Sequence, residues 1–174
     1  SGKLFSARLN NSIGIEMVGY WPFNSINGLS TPDASGYNNG GSLQPATSIS
    51  LVQGMKENGL DFPNSSTDYV TVNDNSWLDI PDTITIEAWI YLTTTPTPLV
   101  FSKIVTKSFS CTVSPYRNYG FFVKDNYKLH FSTINDTGTD CSGSESNGTI
   151  NLNRWTHVAV SFSRTTRIAT YYID

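Results

Sequence analysis

Residues 83–92 read Thr83-Ile84-Thr85-Ile86-Glu87-Ala88-Trp89-Ile90-Tyr91-Leu92. In an extended chain successive side chains point to opposite faces. Ile84, Ile86, Ala88, Ile90 and Leu92 therefore share one face, and Thr83, Thr85, Glu87, Trp89 and Tyr91 share the other. The spacing predicts a strand with one face in a core. Residues 154–162 repeat the pattern, with Val158, Val160 and Phe162 on one face and Trp155, His157 and Ala159 on the other. Apolar groups on both faces mark a central strand. A further strand over 167–173 follows the turn at Arg164-Thr165-Thr166.

Between these segments, a Thr/Pro run at 93–98 reads as a loop, and strands are expected near 99–107, 118–124 and 128–134. The last two are joined by the tight turn Asp125-Asn126, and a polar loop is expected over 135–149. Upstream, Leu60-Asp61-Phe62 and Tyr69-Val70-Thr71-Val72 flank the turn residues Pro63-Asn64-Ser65. Residues 24–48, dense in Asn, Ser, Gly and Pro, read as a long ordered loop with short extended pieces. Residues 1–17 differ: Leu4, Phe5, Leu9 and Ile13 fall on one helical face, which predicts a short amphipathic lead-in helix. Many short strands separated by turn signals predict one all-β antiparallel sandwich over 18–174.

Composition narrows the function classes. The 174 residues fit one domain, and a net charge of −3 supplies no basic footprint for nucleic acid or an acidic membrane surface. Only 14% of residues are charged, which suits β-structure with polar turns better than helices. No apolar run approaches the roughly 18 residues that a spanning helix needs. The first residues, Ser1-Gly2-Lys3-Leu4-Phe5, lack the apolar stretch of a secretion leader, which fits a mature or excised product. The two cysteines, Cys111 and Cys141, show no CxxC or Cys/His metal spacing. An up-down-up run of strands brings both to one sheet edge, so a disulfide and an oxidising compartment are expected, against the alternative of two free thiols. Such a bridge stabilises by roughly 2–4 kcal/mol. Asn-x-Ser/Thr sequons begin at Asn10, Asn64, Asn135 and Asn147, and carry glycans only in a eukaryotic secretory host.

Seven stretches in order carry a resemblance. They are Val18-Gly19-Tyr20-Trp21-Pro22-Phe23, Asp33-Ala34-Ser35-Gly36-Tyr37-Asn38-Asn39-Gly40, and Gly59-Leu60-Asp61-Phe62 followed by Asp68-Tyr69-Val70-Thr71-Val72. Then come Thr85-Ile86-Glu87-Ala88-Trp89-Ile90, Ile104-Val105-Thr106-Lys107, Trp155-Thr156-His157-Val158-Ala159-Val160 and Tyr171-Tyr172-Ile173-Asp174. Together they resemble the laminin-G-like, concanavalin-A-like lectin/glucanase superfamily, in its bacterial LamG/pentraxin-type form. The resemblance implies two antiparallel sheets packed as a jelly roll, with glycan or protein partners and, in some members, calcium. Members continue past the motif ending at Asp174, so this chain is expected to be cut short or to take its missing edge from another chain. An unpaired C-terminal edge strand, or the N-terminal segment, would then serve self-association.

Catalytic signatures are missing: there is no GxSxG, HExxH, P-loop or GxGxxG. Glycoside hydrolysis needs two neighbouring carboxylates, whereas Glu87 stands alone between Thr85 and Trp89. His130 and His157 are isolated, and His157 reads as a satisfied core histidine. The resemblance implies calcium at Asp33 and Asn38, where the plainer reading is an Asp33 that organises a turn. Among the aromatic residues, Trp77, Trp89, Tyr91, Tyr116 and Tyr119 are candidate ligand platforms, and Trp77, which follows Asn73-Asp74-Asn75-Ser76 in a loop, is the one expected to be exposed. The strand positions of Trp21, Trp89 and Trp155 predict core packing. The expected function is a non-catalytic module at the cell surface or outside the cell that recognises a carbohydrate or surface protein. The alternative is the structural head of a pilin-like appendage, and a glycoside hydrolase ranks last.

Overall fold

The computed structural model describes residues 2–11, 17–45, 47–63, 67–79, 82–96, 98, 101–107, 119–134 and 141–174, with 2–11, 134, 141 and 142 described by their backbone. The strands, in chain order, are β1 (Gly2–Asn11), β2 (Met17–Trp21), β3 (Ser30–Thr31), β4 (Gly41–Gln44), β5 (Ser50–Gln53), β6 (Asn58–Phe62) and β7 (Tyr69–Val72). Then follow β8 (Thr83–Leu92), β9 (Ser102–Lys107), β10 (Tyr119–Val123), β11 (Lys128–Ile134), β12 (Cys141–Thr149), β13 (Trp155–Ser163) and β14 (Ile168–Ile173). A seven-stranded sheet has the order β14-β13-β8-β1-β6-β5, with β2 also paired to β1. A four-stranded sheet runs β12-β11-β10-β9, and a small sheet runs β3-β4-β7. All named pairings are antiparallel.

The core follows from the alternation. Every second residue of β8, from Ile84 to Leu92, is buried, and the intervening ones are half-exposed. Ile86, Val158 and Val160 of the seven-stranded sheet join Phe121, Val123, Leu129 and Phe131 of the four-stranded sheet in one apolar cluster. Phe131 and Phe162 meet across the sheets with ring centroids 5.1 Å apart. Leu43 from β4 and Leu60 from β6 belong to the same cluster.

Two expectations need correction. The stretch read as a helical lead-in forms β1, which pairs with β2, β6 and β8 and so lies inside a sheet. The reason is a register irregularity. Leu4, Ala7 and Leu9 oppose Ile90, Ala88 and Ile86, so one extra residue of β1 is accommodated between Leu4 and Ala7. Such a bulge stretches an apolar period of two into the spacing of a helix. The expected polar loop at 135–149 contains β12, which pairs along β11. Cys141-Ser142-Gly143-Ser144-Glu145-Ser146-Asn147-Gly148-Thr149 carries no apolar alternation, because at a sheet edge backbone pairing alone makes the strand. The polar stretch 24–48 carries β3 and β4, the short extended pieces expected in that loop. Cys111 lies outside the described residues, and so does the side chain of Cys141; the expected disulfide falls there.

On the outer side of the four-stranded sheet, Phe122 is buried under its own small cluster. A Cβ on Gly120 would lie 2.2 Å from the Phe122 ring, so glycine is needed for the ring to fold back onto the strand. His130 stacks on Phe101 at 5.1 Å and 5°. Lys124 lies 5.7 Å over the Phe101 ring and pairs with Glu145. His130 Nδ1 and Ser132 Oγ are buried with no hydrogen-bond partner among the described residues. Burial and then the neighbouring Lys124 push the His130 pKa below its ordinary value, outweighing the pull of Glu145. A base whose folded pKa is depressed must be charged against resistance, so stability falls as pH drops through the ordinary histidine range near 6.5. Chemical denaturation between pH 7.5 and about 5 should show this loss, and His130→Phe should flatten the slope. An unchanged slope in the variant would assign the effect elsewhere.

Candidate binding face and rim

The seven-stranded sheet turns the other half of its alternation outward. Across β8, β13 and β14 the register sets Tyr91 opposite Trp155, and Trp89 opposite His157. Glu87 falls opposite Ala159 and then Tyr172, and Thr85 opposite Ser161 and then Thr170. Cross-strand neighbours on one face touch, and here they do. Tyr91 and Trp155 meet edge to face at 5.5 Å, and Trp89 and His157 at 5.2 Å. His157 Nε2 lies 3.5 Å from Glu87 Oε2, with side chains 29% and 27% exposed. Thr85 and Ser161 share a 3.4 Å hydroxyl contact. Tyr172 is 56% exposed and Ile168 60%.

The face thus has an aromatic half and a hydroxyl half, with a carboxylate–imidazole pair between them. Outward strand positions on water-facing sheets ordinarily carry polar and charged groups. Within β8, β13 and β14, Glu87 is the one carboxylate at an outward position. Arg8 of β1 takes the register position opposite Glu87, and Lys3 pairs with Asp61 of β6, so charged positions neighbour opposite charge. Trp89, Trp155 and His157, expected in the core, are half-exposed here, whereas Trp21 is buried as expected and donates Nε1–H to the Asn39 carbonyl at 2.6 Å. The period of two that buried Ile86 and Ala88 necessarily turned Glu87 and Trp89 outward. A separate open groove of about 480 Å³ lies between β12 and β14, beside Glu145, Asn147, Thr170 and Ile173.

At the rim, the structure brings the expected metal and ligand residues into one neighbourhood. Trp77 sits in a single 3-10 turn over Ser76–Leu78, capped by Asn75, whose Oδ1 accepts the Trp77 N–H at 3.1 Å. Asn75 Nδ2 donates to Asn39 Oδ1 at 2.9 Å, tying this turn to the Asp33 loop. Tyr37 meets the Trp77 ring at 5.0 Å and 62°. Trp77 is exposed, as expected, and Tyr119 is buried, with burial first and then the Asp79 charge pushing its pKa up. Tyr116 lies outside the described residues.

Asp33 is engaged on both oxygens. Oδ1 accepts the N–H of Tyr20 at 2.8 Å and of Ser35 at 2.9 Å. Oδ2 accepts the Ser35 hydroxyl at 2.7 Å and the Asn39 N–H at 2.9 Å. Asn38 adopts the left-handed region with φ 58° and is exposed. Calcium needs six to eight oxygen ligands. Among the described residues no three His, Cys, Asp or Glu side chains gather to hold a metal, and the four donors around Asp33 organise the turn.

Two packed antiparallel sheets are the architecture of the lectin-like sandwich domains. Over residues 64–174 the chain matches a laminin-G-like family model described as the concanavalin A-like lectin/glucanases superfamily, and it belongs to that family. No curated protein and no solved structure matches the chain. The fold is that of a carbohydrate- or protein-binding module.

Proposed function

We propose that this domain is a non-catalytic module acting at the cell surface or outside the cell, and that it lays a carbohydrate chain across the outer face of β8, β13 and β14. The observation that carries the reading is the pair of cross-strand aromatic contacts, Tyr91–Trp155 and Trp89–His157, beside a row of hydroxyls. Sugar rings present apolar C–H faces and a rim of hydroxyls. Indole and phenol rings with one polar end complement the first, and Thr, Ser, Glu and His the second. The non-catalytic part of the reading is supported by the surroundings of Glu87. Ala159 and Tyr172 stand across from it, where a retaining glycosidase needs a second carboxylate at about 5–5.5 Å. The competing picture of a pilin-like head drew on a helical stem, and residues 2–11 are strand instead.

A glycan array, read with and without calcium, supplies the ligand. Trp155→Ala should then weaken binding tenfold or more, in the range of an interface hot spot, while far-ultraviolet circular dichroism keeps its β signature. Undiminished binding by both Trp155→Ala and Trp89→Ala would remove this face from the function. Release of reducing ends from a bound glucan, abolished in Glu87→Gln, would make the protein a hydrolase.

A further inference from the structure

We propose that the Trp77 rim is a second, separate contact point, which takes an arginine side chain from a basic segment of a partner protein. Trp77 is 50% exposed, yet its position is fixed. The Asn75 cap holds its backbone, Asn75 is held by Asn39, and Asn39, 4% exposed, donates to the Val18 carbonyl of β2. Leu78, the next residue, is buried in the core. Tyr37 supports the indole through a T-shaped ring contact with centroids 5.0 Å apart. An exposed aromatic ring that needs no further ordering is the kind of group that anchors an interface.

The charge around it selects the occupant. Lys107 Nζ lies 2.7 Å from Asp74 Oδ1 and 2.8 Å from Asp79 Oδ1, so one cation faces two carboxylates. The Lys107 side chain is 15% exposed and turned into this cluster, whereas that of Asp74 is 87% exposed. The hydrogen bond and charge of Lys107 hold the Asp74 carboxyl below its ordinary pKa, so it is ionised at neutral pH. A half-exposed indole three residues from Asp74, where the described charges sum to a surplus of negative, favours a cation over a neutral or anionic group. Arginine meets both features, because its guanidinium lies flat on an indole while its fork reaches a carboxylate.

The test uses the whole chain with ¹⁵N-labelled indoles, the Trp77 Nε1–H resonance being identified by its loss in Trp77→Ala. The probes are a capped Gly-Arg-Gly peptide and the same peptide with citrulline, which keeps the shape and removes the charge. The arginine peptide should move the Trp77 resonance saturably while the other indoles stay still. Asp74→Asn should weaken that binding about two- to fivefold, and added salt should weaken it further. Equal shifts from the citrulline peptide, or no shift from the arginine peptide at millimolar concentration, would overturn the assignment. The outer-face glycan site plays no part in this result, so either site can fail alone.

Discussion

Phe121→Ala should lower the unfolding free energy by about 3–5 kcal/mol, the range for removing a fully buried aromatic ring from a core. Phe121 is 0% exposed in the middle of β10, opposite Phe131 on β11 and Val105 on β9. Its ring belongs to the shared cluster that joins the four-stranded sheet to Ile86, Val158 and Val160 of the other. Phe131, Ile86, Val158 and Val160 sit on strands laddered on both sides, so they are poorly placed to collapse into the space. Against a typical total of 5–15 kcal/mol, this loss alone brings a domain close to unfolding at moderate temperature. Urea denaturation checks it, and a loss below about 1 kcal/mol would mean that the two sheets do not depend on this ring. Phe121→Leu, which keeps most of the volume, should recover most of the stability.

Asp33→Ala should be the next most damaging change, at about 3 kcal/mol, because it strips acceptors from three backbone N–H groups, those of Tyr20, Ser35 and Asn39. Asn39 in turn accepts from Trp21 Nε1 through its carbonyl and holds Asn75, so both the base of the core and the Trp77 turn should loosen. The effect has a pH signature. Burial raises the Asp33 pKa, but the Ser35 hydroxyl and the N–H groups of Tyr20, Ser35 and Asn39 outweigh it, and the net shift is downward. A carboxyl with a depressed folded pKa contributes fully above its unfolded value, roughly 3.9, and loses the contribution as pH falls through the folded value. Wild-type and Asp33→Ala stabilities should therefore converge below about pH 4. A constant gap between them down to pH 2 would show that the carboxylate charge is irrelevant to the loop.

Much of the fold was legible because strand periodicity is local. The alternation in 83–92 forecast β8 residue by residue, and 154–162 and 167–173 forecast β13 and β14. The tight turn at Asp125-Asn126 is present, with Lys124 N–H bonded to the Lys128 carbonyl. What failed was pattern disturbed by tertiary context. β1 carries a bulge that mimics helical spacing, and β12 is an edge strand whose polar sequence offers no period at all. The candidate site was half legible. Trp77 is recognisable from its polar loop, but the sequence predicts an interior place for Trp89, Trp155 and His157, because aromatic residues on a central strand are usually buried. The outward half of the β8 alternation held the clue to Trp89.

By itself the sequence determined which side chains of β8 look inward and which side chains of β13 share a face, since a period of two is a property of the extended backbone and needs no partner. It also determined the polar, weakly charged surface and the exposed Trp77. Only the tertiary structure decided that Tyr91 meets Trp155 and Trp89 meets His157, because register is set between strands more than 60 residues apart. The same holds for the joining of the Asp33 loop to the Trp77 turn, where the Asn75–Asn39 hydrogen bond closes a gap of 36 residues beside the Tyr37–Trp77 ring contact. Contacts of that range depend on how the sheets stack, and no local pattern encodes them.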